Sequence, residues 1–189
     1  MSSSGGPNAL PRATFLELAG RAVAAAVRRP GDPADRAWAE SILTPAELGL
    51  WIRQSDYDQH HAIEVARRVE RRLAATAHAG DTLWTGAALM HDVGKCESNL
   101  SLPERAAATL ASKVFGVATA RQWARSATGW KRRLGLYLTH GELGAAMIRA
   151  AGGREVLAVW SEIHQGYSGI ESSGISPLVV DALIKSDVA

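Results

Sequence analysis

Apolar residues recur along this chain at three- and four-residue steps, and no run alternates apolar and polar positions as a strand does. After Ser55, the residues Ala62, Val65, Ala66, Val69 and Leu73 fall on one stripe, which predicts a long amphipathic helix. Leu83 to Met90 is apolar almost throughout, interrupted by Thr85 and Gly86, and the helix expected over about 82–93 would be buried on all sides. Thr44-Pro45-Ala46-Glu47 joins a capping threonine, proline at the first helical position and glutamate three residues after the cap; Ser101-Leu102-Pro103-Glu104 repeats that logic. Further helices are expected over about 13–29, 118–128, 140–151, 155–165 and 177–187, with loops at Gly152-Gly153 and over 166–174. The pattern predicts an all-α fold: a disordered tail over residues 1–12, then one helical domain over 13–189.

Polar residues interrupt these stripes at particular places. His61 lies one turn before Val65 and borders the buried stripe, whereas His60 projects with Glu64, Arg67 and Arg71 on a solvated face. The apolar helix ends in His91-Asp92-Val93-Gly94-Lys95, and a carboxylate at a buried helix end needs partners. Gly94 is expected to cap that helix and turn Lys95 back toward the same end. His140 precedes Leu143, Gly144, Met147 and Ile148 on one face; His164 continues Val156, Trp160 and Ile163; Asp187 continues Val180, Leu183 and Ile184. Any one of these histidines reads most simply as a satisfied core residue. Four of the six histidines and two aspartates at buried ends or faces of five helices read as a metal site.

Composition narrows the setting. The 189 residues, 47% of them hydrophobic, suffice for one sizeable core. A net charge of +2 falls well short of a nucleic-acid-binding signature. One cysteine, Cys96, forms no disulfide within the chain, and no apolar run approaches the roughly 20 residues of a membrane span. The expected location is cytoplasmic.

Taken together, His61-Ala-Ile-Glu-Val65-Ala66, Ala88-Leu-Met-His91-Asp92-Val-Gly-Lys95, His140-Gly-Glu142-Leu-Gly144-Ala145, His164 and Ala182-Leu183-Ile-Lys-Ser-Asp187 resemble the HD-domain superfamily of metal-dependent phosphohydrolases, and in particular an actinobacterial group of small HD-domain proteins. The resemblance spans about residues 44 to 189. It implies that His61, His91, Asp92 and Asp187 hold one metal with Asp92 bridging, and that His140 and His164 complete a second. Two features depart from parts of that superfamily. His164-Gln165 stands where many relatives carry paired histidines, and no Gly-Tyr-Pro follows the central motif, which argues against the cyclic-di-GMP phosphodiesterase branch.

Such ligands suit one or two divalent transition ions (Fe, Mn, Co, Ni or Zn). The implied chemistry is hydrolysis of a phosphate mono- or diester in a small anionic, nucleotide-like substrate by a metal-activated hydroxide. Asp92 and Lys95 are the expected catalytic residues, Lys95 meeting phosphate charge, with Arg132 and Arg133 as weaker candidates. Glu142 either accepts a hydrogen bond from a ligand or, the preferred reading, caps its helix. Two alternatives remain open at this level: a di-iron oxygenase of HD type, and a regulatory module that binds nucleotides without turnover.

Overall fold

A computed structural model of the protein describes residues 32–112 and 115–188, so the tail expected over 1–12 and the helix expected over 13–29 lie outside the described residues. The described residues form α1 (Pro33–Ile42), α2 (Pro45–Trp51), α3 (Asp56–Leu73), α4 (Thr82–Met90), α5 (Leu102–Ser112), α6 (Val117–Ser126), α7 (Gly129–Leu138), α8 (His140–Ala150), α9 (Glu155–Ile163) and α10 (Pro177–Asp187). Short 3-10 helices at Val93–Glu97 and Ile170–Ser172 join them, and the described residues contain no strand. The fold is all-α, as the periodicity predicts.

Local chemistry sets most of the boundaries. Thr44 accepts from the Glu47 amide while the Glu47 carboxylate accepts from the Thr44 amide, which closes the capping box of α2. Ser55 caps α3, and Ser176 followed by Pro177 starts α10. Glu104 accepts from both the amide and the hydroxyl of Ser101 at the start of α5. Two helices have no counterpart in the sequence reading. Asp32 caps α1 with Pro33 at its first position. In α7, Gly135 weakens the helical pattern, but α6 crosses there: a β-carbon at Gly135 would stand 2.7 Å from the Ala120 carbonyl oxygen.

The apolar helix α4 lies at the centre and packs against α3, α9 and α1, and α10 covers α3. Its residues from Trp84 to Met90 are buried without exception, as expected for a helix apolar all round. Ala62, Val65, Ala66, Val69 and Leu73 of α3 meet Leu157, Ala158, Trp160, Val179, Val180 and Leu183 in one core. Burial of each large side chain there is worth about 1.5–3 kcal/mol. Two ion pairs lock the frame from inside. Glu47, fully buried, accepts three hydrogen bonds from Arg154, including one from its backbone amide at 2.9 Å. Asp58 accepts a forked pair from Arg105, with Nη2 at 2.9 Å from Oδ2. No described helix is long and apolar enough to cross a membrane.

Candidate metal centre

Helix ends build the site. His91 follows the last residue of α4, His140 follows α7 across Thr139, His164 follows α9, and Asp187 is the last residue of α10. The last turn of a helix carries carbonyls without an intrahelical partner. Those carbonyls take the Nδ1 protons: His91 donates to Ala88 at 2.7 Å, His140 to Tyr137 at 2.6 Å and His164 to Ser161 at 2.7 Å, each three residues back. Wherever the imidazole is neutral, its one proton is therefore spent on backbone and Nε2 turns a lone pair inward.

All three Nε2 atoms face one carboxylate. His140 and His164 approach Asp92 Oδ1 at 3.1 and 3.5 Å, and His91 approaches Oδ2 at 3.3 Å. Lys95 Nζ also donates to Oδ2. From α3, His61 Nε2 reaches Asp187 Oδ1 at 3.3 Å and Asp92 Oδ2 at 4.0 Å, and Asp187 Oδ1 lies 3.5 Å from His91 Nε2. His60 points away from the centre to Glu64 at 3.4 Å, as its position on the helix predicts. Its side chain is no more exposed than that of His61, 27% against 26%, so it does not sit on a solvated face. Arg68 and Arg72 of α3 donate to the backbone carbonyls of Ser186 and Lys185, which fixes the end of α10 beside His61. The structure thus brings together all six residues proposed from the sequence.

The charges of the site are strongly coupled. Burial would drive the Asp92 carboxyl up, but the charges of His91 and Lys95 hold it well below the usual range. Burial likewise opposes ionisation of Asp187, and His61 and His91 outweigh it. Burial would lower His91, yet the charges of Asp92 and Asp187 push it up to about 10. His140 shifts the other way, because burial outweighs its contact with Asp92. A neutral His140 with Nδ1 committed to Tyr137 sets lone pair against lone pair across 3.1 Å. The His91 Nε2 is buried without a hydrogen-bond partner of good geometry. Four helix C-termini, each a partial negative charge, converge here as well. His61, His91 and Asp187 form one group that could hold a metal ion, and His91, Asp92 and His164 form a second. No protein-family model, no curated protein and no solved structure matches this chain.

Beside the centre opens a cleft of about 1120 Å³, lined at its inner end by Lys95, His140 and Tyr137. Its walls come from α6, from α9 and from the loop over 165–173, which include Arg121, Phe115, Ile163 and Ser172. Lys95 keeps its proton firmly, since the charge of Asp92 outweighs the effect of burial.

Three expectations need correction. Gly94 does not cap α4: the helix ends at Met90, and Gly94 sits inside the 3-10 turn without the positive φ of a left-handed cap. The backbone of α8 explains the glycine, because a β-carbon would stand 2.7 Å from the Gly144 amide nitrogen. Glu142 does not cap α8; it forms a forked pair with Arg121 at 2.6 and 2.9 Å. Arg133 is spent on the carbonyls of Ser98 and Asn99 and on Glu104, and Arg132 is exposed outside the cleft lining. Sequence reading also missed Ser161, whose buried hydroxyl lies within hydrogen-bonding distance of the His91 and Gly141 carbonyls at 3.1 and 3.3 Å. Its signal is a serine placed three residues before His164 on an apolar helix.

Proposed function

We propose that the protein is a metal-dependent phosphohydrolase of HD type that cleaves a phosphate mono- or diester of nucleotide-like character. One observation carries the reading: the two oxygens of Asp92 face different partners, Oδ1 toward His140 and His164, Oδ2 toward His91 and His61. A carboxylate so placed suits a bridge between two cations. His61, His91, Asp92 and Asp187 would hold one ion, and Asp92, His140 and His164 the other. Imidazole and carboxylate donors fit Fe, Mn, Co, Ni or Zn. Bound ions of this kind supply a water activated near neutral pH and charge stabilisation for a phosphoryl group.

The chain's own residues do the rest. The helix-end carbonyls hold each imidazole in the metal-binding tautomer, so ligation costs little reorganisation. Lys95, between Asp92 and the cleft, supplies a fixed positive charge where phosphoryl oxygens would lie. Apolar walls at Phe115, Val117 and Ile163 and hydroxyls at Ser168, Ser172 and Ser173 suit the organic part of an ester.

Elemental analysis of the purified protein, followed by a phosphoester screen with and without oxygen, tests the reading. Turnover with Mn, Co or Ni in the absence of oxygen is the expected result. Tightly held iron with oxygen consumption and no phosphoester turnover would replace hydrolysis with oxygenase chemistry. Nucleotide binding without product under any metal would replace it with a regulatory role.

A further inference from the structure

The modest net charge of the chain conceals a strong segregation. Between Glu104 and Glu142 the sequence carries seven Lys and Arg and no Asp or Glu, although the whole chain has 21 of the former and 19 of the latter. This stretch supplies α6, α7 and one wall of the cleft. Several of its cations are neutralised from outside the stretch: Arg105 by Asp58, Arg121 by Glu142 and Arg133 by Glu104. Arg125, Lys131 and Arg132 are exposed, and among the described residues no carboxylate pairs with them.

The helical phases connect these residues to the cleft. On α6, Val117 and Arg121 line the cleft, and Arg125 lies one further turn along the same face. On α7, Tyr137 lines the cleft, and Trp130 lies seven residues earlier on nearly the same face, about 10 Å along the axis. Trp130 is 63% exposed, the most exposed large hydrophobic side chain of the described residues. Phe115, 41% exposed, sits at the cleft mouth with its ring against Trp123. Cations and aromatic faces therefore alternate from the mouth of the cleft to the tip of the α6–α7 hairpin.

We propose that this face binds single-stranded nucleic acid, with the phosphates on Arg125 and Lys131 and bases stacked on Trp130 and Phe115. Aromatic platforms interleaved with cations are how proteins hold unpaired strands without reading sequence. Continuity with a cleft that ends at Lys95 and His140 favours a nucleic acid over an anionic membrane, because a flexible strand can pass a phosphate inward. The proposal rests on the phosphohydrolase reading for what happens to that phosphate, but not for the binding itself.

Fluorescence anisotropy of labelled 20-nucleotide dT and U oligomers, titrated with the full chain in EDTA, isolates binding from metal and turnover. Micromolar binding at low salt is expected, with a slope of log K against log salt of about −1 to −2, as two phosphate contacts require. The double variant Arg125→Glu, Lys131→Glu and the single variant Trp130→Ala should each bind at least about tenfold more weakly, with melting temperature unchanged. No oligomer binding at low salt, variants that bind like wild type, or binding to phosphatidylserine vesicles without oligomer binding would each overturn the proposal. So would a duplex bound as tightly as the single strands. Failure of the phosphoester screen would leave this result standing, so the two readings fall separately.

Discussion

A β-carbon placed on Gly94 would overlap the carbonyl oxygen of His140. The turn after Asp92 and the start of α8 touch backbone to backbone, and this contact sets the approach of His140 to Asp92. Gly94→Ala should therefore cost about 1–3 kcal/mol through overpacking and lower the melting temperature by several degrees. It should also weaken metal retention. Gly49→Ala makes the contrast: Gly49 is exposed within α2 with no atom near its would-be β-carbon, and the change should stabilise by about 0.5–1 kcal/mol. Calorimetry and metal analysis on both variants check the pair of expectations.

Asp92→Ala should abolish both metal binding and phosphoester turnover, because both of its oxygens face ligand nitrogens. His60→Ala, one position from His61, should leave metal content unchanged, since His60 faces Glu64 instead. Full metal occupancy in the Asp92 variant, measured by elemental analysis, would sink the assignment of the centre.

Metal affinity should rise steeply with pH. In the metal-free protein the Asp92 and Asp187 charges, acting against burial, hold the His91 pKa at about 10, so an ion must displace a proton there. With the folded pKa above the unfolded value near 6.5, the stability His91 contributes is fully present below that value. It is lost as pH rises toward 10. Chelator competition between pH 6 and 9 reads the effect, and an affinity flat across that window would contradict it.

Acid should release the Glu47–Arg154 lock. Burial opposes ionisation of Glu47, yet its hydrogen bonds from Arg154 and Thr44 take the carboxyl down to about 2 from 4.5. With the folded pKa below the unfolded value, this stability is fully present above pH 4.5 and fades as pH falls through about 2. The difference amounts to about 3 kcal/mol. Glu47→Gln should be destabilised at neutral pH, and its stability should vary less between pH 5 and 2 in denaturant titrations.

Much of the fold and the site was legible because helix periodicity and buried polarity are written residue by residue. Spacing alone turns His61 inward and His60 outward, and Asp187 stands out on the stripe of Val180 and Leu183. What escaped the sequence depends on backbone. The carbonyls of Ala88, Tyr137 and Ser161 that orient the imidazoles carry no residue signature, since every residue has one. Gly94 reads as a cap because the helix crossing it comes from elsewhere in the chain. The α6–α7 basic face was hidden by averaging charge over the whole chain.

His61 and Asp187 stand 126 residues apart, yet they meet at 3.3 Å. An ion held between them would serve as a removable cross-link, closing a loop that takes in most of the described residues. Such a closure confines the unfolded ensemble much as a disulfide does. Stripped of it, α10 still has its apolar side and the two arginines of α3 to hold it down. The susceptibility of the last helix to protease would then report how fully the centre is loaded.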